Sequence, residues 1–177
     1  ALKEQRTDCG TLLLTMENLQ DADWENNWKE YFKPMKIGEK LLIRPLWIDD
    51  YDAEGRAVLS IEPGLAFGSG GHHTTRLCLE TLDKIVKDGD TVLDMGCGSG
   101  ILAIFSLLFG AKSAFGVDID PLAVKTAKEN GLMNNFKEPE LTFICGDLDE
   151  NVKGKYSVVV ANIVADVIMM FAPNVRK

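Results

Sequence analysis

Asp94-Met95-Gly96-Cys97-Gly98-Ser99-Gly100 is the stretch that decides the fold. Three glycines at alternate positions follow the apolar pair Val92-Leu93 and open an apolar run over residues 101–109. The pattern predicts a tight turn between a buried strand and a helix, where missing side chains let a ligand approach the backbone. Asp118 ends the next predicted strand, 22 residues after Gly96. A carboxylate there can accept hydrogen bonds from both ribose hydroxyls of an adenosine. Pyrophosphate binders prefer G-x-G-x-x-G, with N–H groups at a helix N-terminus. This chain has G-x-G-x-G after the acidic Asp94. Negative charge beside the loop would repel a pyrophosphate and suits a sulfonium cation and an amino group. S-adenosyl-L-methionine is therefore the favoured cofactor, with S-adenosyl-L-homocysteine as product. A nicotinamide dinucleotide is disfavoured.

Outward from the turn, the chain alternates. Strands are predicted over residues 91–94, 113–118, 141–145 and 156–161, and helices over 74–86, 100–109, 121–130 and 164–171. Gly110 ends the second helix, and Pro121 begins the third, where its missing N–H costs nothing. Strand–helix alternation implies an α/β fold. The expectation is a Rossmann-like class I methyltransferase domain: a mostly parallel, twisted sheet with helices on both faces. Right-handed crossovers put the first of these strands in the centre, with the order reversing beside it. Ligands bind at that switch point, outside the carboxyl ends of the strands. Upstream, strands are expected over 11–16, 40–47 and 57–61. Trp24, Trp28, Tyr31 and Phe32 have helical spacing.

The 177 residues suggest one domain with an appended segment, and the hydrophobic fraction of 46% is ordinary for a globular protein. A net charge of −8 argues against a whole-surface attraction to nucleic acid. It suits a Lys-rich protein partner. The four cysteines, Cys9, Cys78, Cys97 and Cys145, form no CxxC pair and read as reduced thiols. No apolar run has membrane-spanning length, and a cytoplasmic monomer is expected.

A second loop goes beyond fold. Residues 62–75 read E-P-G-L-A-F-G-S-G-G-H-H-T-T, followed by Leu77-Cys78-Leu79. This segment resembles the D-P-G-x-A-F-G-T-G-x-H-P-T-T signature of the PrmA family, the methyltransferases of ribosomal protein L11. Asp94 to Ile101 looks like that family's D-x-G-C-G-S-G-I, Asp118-Ile119-Asp120-Pro121 like its D-I-D-P, and Ala161-Asn162-Ile163-Val164-Ala165 like its A-N-I-L-A. Trp24, Trp28, Tyr31-Phe32, Ile37-Gly38 and Pro45-Leu46-Trp47 look like its linker. The resemblance covers roughly residues 20 to 172. Glu62, Ser69 and His73 depart from the signature, Gly71 stands where the family usually has Thr, and His73 in place of Pro gives up a fixed φ.

The resemblance implies cofactor contacts at Thr75, Gly96, Asp118 and Asn162, with Phe67 and Gly68 in a loop covering the methionine end. Asp94 and Gly98 join them from the glycine run. It also implies ribosomal protein L11 as the protein substrate, methylated on lysine or α-amino nitrogens. Residues 1–50 then read as the remnant of an N-terminal recognition domain and linker, and 51–177 as a methyltransferase domain lacking its C-terminal strands. Asn162, ending the fourth strand, is the candidate catalytic residue: its oxygen and nearby carbonyls can orient the attacking amine. A helix N-cap is its bland alternative. His72 and His73 lack the further ligands that a zinc shell needs, so no metal is expected, and local hydrogen bonding is the simpler role. Two other readings stay open: a relative acting on another protein's lysine or on a small molecule, and a binding module that has kept the cofactor fold without activity.

Overall fold

The computed structural model describes residues 32–62, 70–147 and 152–173, and residues from Lys33 onward form one compact unit. The strand expected near residue 11 and the Trp24–Trp28 helix lie outside the described residues. Among the described residues, seven strands and four helices follow in the order β1 (Met35–Ile37), β2 (Leu41–Pro45), β3 (Ala57–Ile61), α1 (His73–Ile85), β4 (Thr91–Met95), α2 (Ile101–Leu108), β5 (Ser113–Asp118), α3 (Pro121–Met133), β6 (Leu141–Cys145), β7 (Val158–Ala161) and α4 (Ala165–Phe171).

Strands β4 to β7 form one parallel sheet in the order β6-β5-β4-β7. β4 is central, and the order reverses between β4 and β7, as the crossover rule requires. β4 and β5 read as continuous apolar runs because both of their faces are covered. Val92 and Val117 are 0% exposed. One face carries α1, α2 and α3, whose Leu79, Leu82, Ile101, Ile104, Phe105, Val124 and Ala127 share a core with Val92, Ala114 and Phe143. The other face carries α4, whose Val167 and Phe171 pack with Leu93, Met95 and Val117.

β1, β2 and β3 make a second, mixed sheet. β1 pairs antiparallel with β2, and β2 runs parallel to β3, with Leu41 opposite Ala57 and Pro45 opposite Ile61. Ile37, Leu41, Ile43, Leu59 and Ile61 drop into the same core as α1 and α2. β2 and β3 thus pair across residue 50, and α1, α2 and α3 lie between the two sheets, with α4 outside them.

Most predicted boundaries hold within two residues. The largest difference is α3, which runs through Gly131 to Met133 instead of stopping near Asn130. A helix-interior glycine ordinarily costs about 1 kcal/mol. Here it is required by packing: a Cβ on Gly131 would lie 2.7 Å from Leu141 Cδ2. The helix therefore approaches β6 more closely than any side chain would allow.

Candidate active site

The glycine turn links β4 to α2. Gly96, Gly98 and Gly100 all have left-handed φ values, +69°, +52° and +77°, which explains glycine at alternate positions. The turn is fastened to β5 by its backbone: Gly96 N–H and Cys97 N–H both donate to Val117 O, at 2.8 and 3.0 Å. A Cβ on Gly96 would fall 2.3 Å from Ile163 Cγ2, so the segment after β7 lies directly against the turn. Gly100 is equally confined, by Phe143 and Ala127. The strand ends of β4, β5 and β7 thus converge at the topological switch point.

Asp118 ends β5 beside the turn. Its Oδ2 accepts from Gly98 N–H at 2.8 Å and its Oδ1 from Asp120 N–H at 3.0 Å. An ionised carboxylate has about four lone-pair sites. One site on each oxygen therefore remains, the number a vicinal diol needs. Asp120 caps α3 through Leu122 N–H, and Pro121 takes the first helical position.

Asp94 sits deeper than a solvent-facing anionic lip. It is 0% exposed, and its Oδ2 accepts from Ala103 N–H at 3.2 Å, inside the first turn of α2. Burial pushes its carboxyl up to about 7, with the Asp118 charge adding to the rise and the Ala103 hydrogen bond opposing it. Its Oδ1 is buried without a hydrogen-bond partner. A buried carboxyl with a spare oxygen beneath the turn suits a cation and, when ionised, opposes a pyrophosphate. Cys97 is buried in the turn itself, and burial pushes its thiol far up, so it is a poor nucleophile.

Thr75 and Asn162 are 87 residues apart and meet: Asn162 Nδ2 donates to Thr75 Oγ1 at 3.1 Å. Thr75 is fully buried in the first turn of α1, and Asn162 follows β7. This bond, with the amide oriented to suit it, assigns the oxygen of Asn162 to the remaining direction. The helix-cap alternative for Asn162 does not apply, because Val164 is the N-cap of α4 and makes no side-chain cap bond. His72 is the N-cap of α1: its Nδ1 accepts from Thr74 N–H at 3.3 Å and lies 2.8 Å from Thr74 Oγ1. His73 occupies the first position of that helix. Among the described residues, no group of three metal-ligating side chains forms. Nor is any helix there long and apolar enough to cross a membrane.

The structure therefore brings together Thr75, Asp94, Gly96, Gly98, Asp118 and Asn162. Phe67 and Gly68 lie outside the described residues. Sequence reasoning missed Ile163, which fills the space over Gly96, and Asn130, a buried asparagine bonded to Ser99 O in the turn. The Asn130-Gly131 pair inside an otherwise helical pattern was the available signal.

The sequence matches the profile of the family described as ribosomal protein L11 methyltransferase (PrmA) over residues 1–177. A ribosomal protein L11 methyltransferase of Clostridium perfringens is 47% identical over 177 residues, covering 99% of this chain and 56% of the relative. One from Caldanaerobacter subterraneus subsp. tengcongensis is 42% identical over 174 residues, covering 98% and 56%. The chain thus spans little more than half the length of these curated relatives. The crystal structure of a ribosomal protein L11 methylase from Lactobacillus delbrueckii subsp. bulgaricus superposes with a TM-score of 0.75 at 32% identity, over 82% of this chain and 74% of that one. The chain belongs to the PrmA family of ribosomal protein L11 methyltransferases.

Proposed function

We propose that the protein is an S-adenosylmethionine-dependent N-methyltransferase whose substrate is ribosomal protein L11, acting on lysine or α-amino nitrogens in the cytoplasm. The single observation that carries the reading is the convergence of the glycine turn, Asp118 and the Thr75–Asn162 pair at one switch point. Family membership supports the substrate.

The residues present fit the cofactor. Asp118 keeps one acceptor site on each carboxylate oxygen for the ribose hydroxyls, beside the glycine turn that its bond to Gly98 N–H fastens. Asp94 adds a buried carboxyl with an unpartnered oxygen beneath the turn. When bound, S-adenosylmethionine supplies a methyl group activated by a sulfonium centre.

The chain's own residues then have three tasks. Asn162 holds an acceptor oxygen at the end of β7 and orients the incoming amine, while Thr75 fixes the amide plane of Asn162. The site must also favour a neutral amine, because an ammonium has no lone pair. A free lysine titrates near ~10.4, so neutrality at pH 7 costs roughly 4–5 kcal/mol unaided. Burial of the amine and nearby positive charge lower that cost. Alignment supplies the remainder, and no covalent enzyme intermediate is needed.

The test is intact-mass spectrometry of purified ribosomal protein L11 after incubation with the protein and S-adenosylmethionine. The reading predicts mass gains in steps of one methyl group, strongly slowed in Asn162→Ala. No gain on L11, with methyl transfer to other ribosomal proteins or small amines, would move the substrate. Cofactor binding without transfer to any acceptor would favour a non-catalytic module.

A further inference from the structure

α3 and its C-cap turn two asparagines inward, Asn130 and Asn134, four residues apart. They do different things. Asn134 donates from Nδ2 to Asn130 O, one turn back, at 2.8 Å, and holds Ser60 from both ends of its amide: its Oδ1 accepts from Ser60 N–H at 2.9 Å and its Nδ2 donates to Ser60 O at 2.6 Å. That is the hydrogen-bond pattern of a neighbouring strand, and it docks β3 on the helix layer.

Asn130 joins two segments. Its Oδ1 accepts from Glu62 N–H at 2.8 Å, just past the end of β3, and its Nδ2 donates to Ser99 O at 2.9 Å in the glycine turn. The side chain is 0% exposed. Burying an amide is costly unless both of its ends are paired. Here both are, among Ala123, Val124 and Ala127, so the position selects a geometry and not merely burial. Neighbouring residues of the turn are thus held from two elements: Gly98 N–H by Asp118 of β5, and Ser99 C=O by Asn130 of α3. Further along the chain, Gly70 lies close to the same turn: an added Cβ there would sit 3.5 Å from Ile101 Cδ1, at the first residue of α2. Glu62 is thus held by Asn130, and Gly70 rests against the helix that the turn begins.

The geometry points to Asn130 as a positioning residue for methyl transfer: acting through Ser99 and Glu62, it fixes the glycine turn relative to the end of β3. This inference rests on the methyltransferase reading above. Asn130 touches neither Asp118 nor Asn162 in the bonds it makes, so its loss disturbs alignment and leaves the ribose contact in place. Asn134, the C-cap of the same helix, provides an internal control: its side chain bonds Ser60 of β3 and the Asn130 carbonyl but not the turn.

The experiment compares Asn130→Ala, Asn130→Asp and Asn134→Ala in the full-length protein at a temperature where all are folded. Steady-state kinetics on L11, calorimetric titration of S-adenosylhomocysteine and amide hydrogen exchange are measured for each. Asn130→Ala is expected to lower kcat by about tenfold or more while the S-adenosylhomocysteine Kd stays within about threefold. Asn130→Asp keeps the acceptor for Glu62 and is expected to fall between Asn130→Ala and the parent. Asn134→Ala is expected to unfold more readily yet keep kcat within about twofold of the parent, since the turn keeps its alignment. Exchange should accelerate at Glu62 and across residues 96–104 in Asn130→Ala, and at Ser60 in Asn134→Ala. Parental kcat in both Asn130 variants, or an equal loss in Asn134→Ala, would overturn the inference. So would unchanged exchange at Glu62 and the turn, a readout that needs no activity. An inert parent protein would instead refute the methyltransferase reading, and the exchange pattern would still decide whether Asn130 couples the two segments.

Discussion

Replacing Asp94 by asparagine isolates the electrostatics beneath the glycine turn. The carboxyl rises from 3.8 to about 7 on folding, chiefly because it is fully buried. A rise of about three units, at about 1.4 kcal/mol each, amounts to about 4 kcal/mol. Between about pH 4 and about pH 7 the folded protein holds a proton that the unfolded chain has released. The folded state thus binds more protons, so stability falls as pH rises through that window and levels off above it. The Asp94→Asn variant has no ionisable group at this position and lacks the slope. The carbonyl of its new amide can still accept from Ala103 N–H, while the amide NH₂ takes the place of the unpartnered Oδ1. That buried donor costs about 1–3 kcal/mol at every pH. The variant is therefore expected to be no more stable than the parent near pH 4, and to gain on it by up to about 4 kcal/mol by pH 8. Urea unfolding across that range measures the difference. Parallel curves for the two proteins would refute the reasoning, because they would mean that Asp94 is not titrating between its folded and unfolded values.

Further substitutions probe the turn and the amine site. Gly100→Ala places a methyl 2.6 Å from Phe143 Cζ and 3.0 Å from Ala127 Cβ at φ +77°, which should cost about 2–5 kcal/mol from backbone strain and overpacking together. Gly38→Ala has a left-handed φ of +53° but open space around the added methyl, so chemical denaturation should show only about 1–2 kcal/mol; equal losses at the two sites would discount the packing argument. Asn162→Ala should lower kcat on L11 by about 10²-fold, since it removes an orienting acceptor, with the S-adenosylhomocysteine Kd changed far less; unchanged turnover in stopped assays would end its assignment.

The parallel sheet was legible in the sequence because each of its strands is an apolar run closed by a polar or glycine signal. Residues 113–118 and 141–145 were bounded correctly for that reason. Asp118 was legible too, as an acid at a strand end at a set distance from a glycine turn. What could not be read was anything decided by tertiary approach. Met35–Ile37 is three residues long and is a strand only because β2 pairs with it. Gly131 reads as a helix stop, yet stays in α3 because Leu141 presses against it. Asp94 is recognisable as an acid beside the turn, but its burial and its bond to Ala103 depend on how α2 begins. The Thr75–Asn162 bond joins segments far apart in sequence, and no spacing rule predicts it.

The central claim is that Asp118 and the glycine turn form an S-adenosyl site and not a dinucleotide site. Calorimetric titration of the folded protein and of Asp118→Ala with S-adenosylhomocysteine, and of the parent with NADH, tests it most directly. The parent is expected to bind S-adenosylhomocysteine and to show no heat with NADH. Asp118→Ala, shown to be folded by its melting curve, should bind more weakly by about 1.5–3 kcal/mol for each charge-assisted bond lost. An unchanged dissociation constant in Asp118→Ala, or tighter binding of NADH by the parent, would contradict the account.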